Sequence, residues 1–306
     1  MNGKTKFIII VLVTGLLLAS GCTSAPEEGN DGLKSSKYPV KVQDKFGNNI
    51  TFEEKPNKIV SLAPSNSKTL LSMGLEDSIV GVSSFHPPEL ENKSKIGSFK
   101  SFNVEKIIEM DPDVVFGVPG VQKERMKKLE KADIKVVTLG ARDVEGIYEN
   151  LEIVGKIMNK NGKADEVISD MNRSIIDVND KLEGVEKKDA YFILWFPTMT
   201  AGNKSFIHDV LVKSGLRNVA GGVDRAFPVI SEEKVIEKNP EIIIYSKHSN
   251  TTKKKIRNRD NWRTISAVKK GNLYEIEDSL INQPSPEVVK AIQKLSRKSY
   301  PEEFQG

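Results

Sequence analysis

The feature that most constrains the fold is a repeated phrase. "NVEKIIEMDPDVVFG" (103–117) and "SEEKVIEKNPEIIIY" (231–245) align without a gap, sharing two Glu, a Lys, an Ile and a Pro. In each, a capping residue (Asn103, Ser231) precedes apolar residues at helical spacing. Asn and Ser at that place accept hydrogen bonds from the free N–H groups of the first turn. A proline (Pro112, Pro240) then stops the helix, and a β-branched run follows. Both copies predict the same helix–turn–strand unit, so the chain is built from two related halves.

The remaining pattern extends that reading. "KIVSLA" (58–63), "SIVGVSS" (78–84), "DVVFGV" (113–118) and "KVVTLG" (135–140) read as strands, with helical spacing between them, as at Leu70, Leu71, Met73 and Leu75. "AYFILWF" (190–196), "EIIIYS" (241–246) and "NLYEIE" (272–277) form a second series. Strands alternating with helices predict mainly parallel sheets covered on both faces, and 306 residues suffice for two such bodies. "YPVKVQDKFGNNITFEE" alternates in period two around Gly47-Asn48-Asn49 and reads as a hairpin. Between the series, "ADEVISDMNRSIIDVNDKL" lacks Pro and Gly and places Val167, Met171, Ile175, Val178 and Leu182 on one helical face. The expected fold class is α/β: an N-terminal lobe over 38–160, one long rigid connecting helix over 161–184, and a C-terminal lobe over 185–306.

The N-terminus reads as an export signal over 1–21. Lys4 and Lys6 precede an unbroken apolar run, which ends in small residues before Cys22, the only cysteine. The arrangement resembles a lipobox, in which that thiol is acylated after cleavage, although Ala19 stands where Leu is usual. An uncut N-terminal membrane anchor is the alternative. The small polar stretch 22–37 reads as a flexible tether. Removing the leader deletes two Lys and no acid, so bases and acids stay nearly balanced. That balance gives no footprint for nucleic acid. "KKKIRNR" (253–259) is the one basic cluster, and reads as a solvated loop or helix face.

On its own physics, an acid in the first turn of each repeated helix (Glu105, Glu233) stabilises the helix dipole. The motif order adds to this. "KIVSLAPSNSKTLLSMGLEDSIVGVSSFHPPE", "IGSFKSFNVEKIIEMDPDVV", "SFIHDVLVKSGLRNVAGG" and "NQPSPEVVKAIQKL" resemble the periplasmic binding proteins for cobalamin and iron–siderophore complexes. These are ABC-importer receptors with two lobes joined by a rigid helix. The resemblance implies that Glu105 and Glu233 dock on arginines of a permease, which works with an ATPase. It also implies a ligand in the cleft between the lobes. The loops after the strands then nominate Ser65, Asn66, Phe85, His86, Phe99, Trp195, Arg225, Phe227, Asn282 and Gln283. Phe85, Phe99 and Phe227 match places where cobalamin binders carry Tyr or Trp against the corrin face.

Two departures favour another chelate: "INQPSP" lacks the acidic and basic pair of some cobalamin binders, and Val118 stands where an aromatic would fit. Arg225 and Lys100 could pair with an anionic siderophore, although each reads first as a solvated surface charge. His86, His208 and His248 lie in separate segments, so no bare-metal site and no resident cofactor are expected. Among enzyme signatures, G-x-S-x-G, H-E-x-x-H and a phosphate-cradling glycine loop are missing. The expectation is a monomeric, extracytoplasmic, lipid-anchored receptor that delivers a metal chelate, with cobalamin favoured. An iron–siderophore or haem receptor, or a lipid-anchored sensor without transport, is the alternative.

Overall fold

A computed structural model describes residues 37–120 and 122–305. The leader, Cys22 and nearly all of the tether lie outside the described residues. The expected hairpin is β1 (Val40–Gln43) against β2 (Asn49–Phe52), antiparallel. The N-terminal half continues through β3 (Ile59–Ser61), α1 (Pro64–Ser72), β4 (Ile79–Val82), β5 (Ser94–Lys95), α2 (Val104–Glu109), β6 (Val114–Gly117), α3 (Lys123–Glu130), β7 (Val136–Thr138) and α4 (Val144–Met158). Its five-stranded sheet is parallel, in the order β5-β4-β3-β6-β7.

After α5 (Asn161–Lys181) the second half runs β8 (Asp189–Ile193), α6 (Phe206–Lys213), β9 (Arg217–Asn218), α7 (Glu232–Lys238), β10 (Ile242–Ser246), α8 (Lys253–Arg257), α9 (Ser266–Lys270), β11 (Leu273–Ile276), α10 (Asp278–Ile281) and α11 (Val288–Ser299). Its four strands are also parallel, ordered β11-β10-β8-β9. The two-residue edge strands β5 and β9 carry no period of their own, and only pairing with β4 and β8 makes them strands. The expected strand 190–196 ends early. The N–H groups of Leu194 and Trp195 turn back onto the Met199 carbonyl, at 2.9 and 3.2 Å.

Period two along the strands sorts side chains between cores. Ile59, Val114 and Phe116 of the first sheet share one apolar cluster with Phe192, Ile242 and Ile244 of the second. Their neighbours Val60 and Val115 face a core private to the first lobe, and Tyr191 and Ile243 one private to the second. Helices fill the shared cluster: Leu151 and Val154 of α4, Val210 of α6, Ile292 and Leu295 of α11, and Ala164, Met171, Ile175 and Val178 of α5. The continuous helix α5 therefore does more than span about 30 Å; its apolar stripe completes a core that belongs to both lobes.

Two polar links cross between the lobes. Asp143 caps α4 by accepting from Gly146 N at 2.8 Å, and Asp209 of α6 accepts from Val144 N at 2.8 Å. On the other side, Lys68 of α1 donates to the Ser279 carbonyl at 2.6 Å and pairs with Glu287 at 2.7 Å. If α5 joins the lobes through this core, M171A lowers unfolding free energy by about 2–5 kcal/mol in urea denaturation, in a single transition. Two separate transitions in the wild type would contradict a shared core.

Candidate functional site

In each sheet the strand order reverses once: between β3 and β6, and between β8 and β10. Open parallel sheets leave a crevice beyond the carboxyl ends of their strands at that reversal. The segments there carry the candidate residues. In the first lobe, Ser65 at the start of α1 and Val118 and Pro119 after β6 line a cavity of about 700 Å³, with Phe46, Arg142 and Pro284. A second cavity, of about 650 Å³, lies on the other side of α1, lined by Lys68, Phe85, His86, Gln283 and Glu287. Pro64–Ser65 and Gln283–Pro284 stand between the two cavities, so both lobes contribute to the mouth.

The large apolar groups here are unusually open. Phe85 is 70% exposed, Trp195 54%, Phe227 52% and Val229 67%. In the second lobe the backbone gathers them. Met199 bridges Trp195 on one side and Val229 on the other. Thr200 N donates to Pro228 O and Gly202 N to Ala226 O, each at 2.9 Å. Gly202 permits this approach, since a Cβ there would lie 2.2 Å from the Arg225 carbonyl. The loop thus holds Arg225 and Phe227 exposed at the mouth.

Several nominated side chains are engaged within the protein instead. Asn66 is buried, and its Nδ2 donates to the Gly117 carbonyl at 2.8 Å, tying α1 to the end of β6. His86 has a buried side chain, with Nδ1 2.9 Å from Pro87 O and Nε2 3.4 Å from Glu91, so it braces its loop. Asn282 donates to Asp278 at 3.0 Å. Gln283 keeps its place, its Oε1 buried without a protein partner. Phe99 is half-buried, and its carbonyl accepts from Gln122 Nε2 at 2.9 Å.

Gln122 is the residue that sequence reasoning missed. Fully buried, it also donates to Leu62 O at 2.9 Å and accepts from Val118 N at 3.0 Å, clamping three mouth loops. No periodicity marks a lone Gln before α3. Phe46, Arg142 and Val229 were missed as well; an aromatic in the hairpin turn was a signal for Phe46, and none marked the other two. Among the described residues, no group of three or more His, Cys, Asp or Glu could hold a metal ion, and no helix is long and apolar enough to cross a membrane.

In parallel α/β units the helices run against the strands, so the N-termini of α2 and α7 face the same end as the mouth. Asn103 Oδ1 accepts from Lys106 N at 2.9 Å, and Ser231 Oγ from Lys234 N at 3.2 Å, as the repeated phrase predicts. Glu105 and Glu233 each sit in the first turn, exposed and without an ion pair among the described residues. Glu232 is different: it pairs with Arg259, whose Nε lies 2.6 Å away, and accepts from Trp262 Nε1 at 3.1 Å. The Arg259 hydrogen bond holds its carboxyl below the ordinary glutamate value, against burial.

The periplasmic binding protein family model matches residues 59–280. An uncharacterized ABC transporter substrate-binding lipoprotein of Bacillus subtilis is 26% identical over 98% of this chain and 99% of its own length. A cobalamin-binding protein of Halobacterium salinarum is 24% identical over 96% of this chain and 84% of that protein. A Helicobacter pylori protein solved with Ni(II) bound superposes with a TM-score of 0.76 at 22% identity, covering 87% of this chain and 91% of that one. That likeness establishes a common fold.

The Lys68–Glu287 link gives a pH test. Burial pushes the Glu287 carboxyl up, but hydrogen bonds from Lys290 and Lys68 outweigh it, and the net shift is downward. A lowered folded pKa contributes stability above the unfolded value, about 4.3, and that stability is lost as pH falls through the folded value. Glu287→Gln should therefore melt below the wild type at pH 7, with the gap closing below about pH 4. A gap constant across that range would contradict the assignment.

Proposed function

The chain belongs to the periplasmic binding protein family, and we propose that it is the extracytoplasmic, lipid-anchored receptor of an ABC importer that captures a metal chelate, with cobalamin as the favoured ligand. The observation that carries this reading is the set of open apolar side chains, Phe85 from one lobe and Trp195, Phe227 and Val229 from the other, at the strand ends of a frame with one shared core. A large flat ligand gains most from such surfaces, with a few polar anchors fixing its orientation. Gln283 and Ser65 line the two cavities and would supply those anchors. The named binding proteins among its relatives, including the cobalamin-binding protein, support binding rather than catalysis as the activity.

A second reading follows from charge. Arg142, which lines the larger cavity, and Arg225, on the loop beside Trp195, are exposed and form no ion pair among the described residues. Guanidinium groups suit the carboxylates or catecholates of an iron–siderophore, or the propionates of haem.

Trp262 is fully buried while Trp195 stands open, so quenching by direct ligand contact acts on Trp195. Titration with cobalamin, haem and ferric siderophores should give submicromolar affinity for one of them, and Trp195→Phe should reduce the quench by removing its contact component. Micromolar or weaker binding of all of them would overturn the ligand assignment. For delivery, Glu105→Ala combined with Glu233→Ala should keep ligand affinity and lower transport by a reconstituted permease. Equal transport by the double variant would remove the docking role.

A further inference from the structure

We infer that the lysine row at the start of α8 contacts anionic lipid headgroups, holding the second lobe against the membrane beside its partner; this rests on the proposed membrane-anchored receptor. From Ile242 to Arg259 the chain carries six Lys and Arg residues and no Asp or Glu. Arg259 is neutralised by Glu232, whereas Lys247, Lys253, Lys254, Lys255 and Arg257 are all exposed and none forms an ion pair among the described residues. Five unneutralised cations in one short stretch leave a local excess of positive charge that would draw an anionic surface.

Their position gives the patch a direction. β10 ends at Ser246, at the mouth, and Phe196 N donates to Ser249 O there at 2.8 Å. Thr252 caps α8, accepting from Lys255 N at 3.2 Å, which places Lys253–Lys255 at the mouth end of the helix. Arg259 lies over the Phe196 ring at 5.4 Å and joins α8 to the first turn of α7, where Glu233 is free. The cations and the proposed docking carboxylate therefore share one face. The tether over 22–37, fully extended, spans at most about 58 Å, so an anchored body stays near the bilayer surface. There, cationic side chains are drawn to anionic lipid within about one Debye length, roughly 8 Å at physiological salt.

The test uses residues 34–306, a compact unit that lacks the leader and most of the tether. Co-sedimentation compares vesicles of phosphatidylcholine with vesicles of equal parts phosphatidylcholine and phosphatidylglycerol. Salt-sensitive binding to the anionic vesicles is expected, falling by about tenfold or more in the variant Lys253→Gln, Lys254→Gln, Lys255→Gln, with melting temperature and ligand titration unchanged. Equal binding to both vesicles, or an unchanged triple variant, overturns the proposal. A triple variant that loses only binding to the permease in nanodiscs of neutral lipid also overturns it, assigning the row to an acidic protein surface. The ligand titration stands apart, so failure of the receptor reading shows there and failure of the lipid contact shows on vesicles.

Discussion

The structure depends on apolar burial along α5. Ala164, Met171, Ile175 and Val178 point into a cluster that takes its other members from both sheets. At roughly 25 cal/mol per Å² of apolar surface removed from water, separating the lobes would expose side chains that neither half can cover alone. Lys68 and Asp209 add a hydrogen-bonded link on either side of this core. The mouth is thus a gap above a common foundation. The loops around it can be open and polar without threatening the fold.

That division of labour explains how much of the protein is legible in its sequence. The repeated helix–turn–strand is local chemistry: Asn103 and Ser231 accept from the third helical N–H wherever the helices go, and Pro112 and Pro240 stop them in any context. The stripe on α5 repeats over enough turns to declare both the helix and its buried side. Strand residues also announce their alternation, although not which of the two cores each face enters. β5 and β9 are invisible because a two-residue strand is defined by its neighbour.

The site is legible only as a set of loops. Topology places those loops at strand ends, and the strand ends were readable. The direction of each side chain depends on partners distant in sequence. Asn66 and Asn282 found acceptors inside the protein, and His86 turned into its own loop. Gln122 gained its role because Leu62, Phe99 and Val118 happen to converge on it. Of the four nominated aromatics, Phe99 is half-buried and the other three, Trp195, Phe85 and Phe227, stand open.

The first turn of α7 carries two neighbouring carboxylates with opposite fates: Glu232 is tied to Arg259 and Trp262, and Glu233 faces water. Glu105 stands alone in the matching turn of α2. Both helices are rooted in lobes that share one core, so the span between the two free carboxylates is set by the foundation and barely by what fills the mouth. Any partner gripping both meets a fixed ruler. Under the proposed docking role, a partner that grips both would read cargo from the cargo's own surface and the loops touching it, rather than from the spacing of the grips.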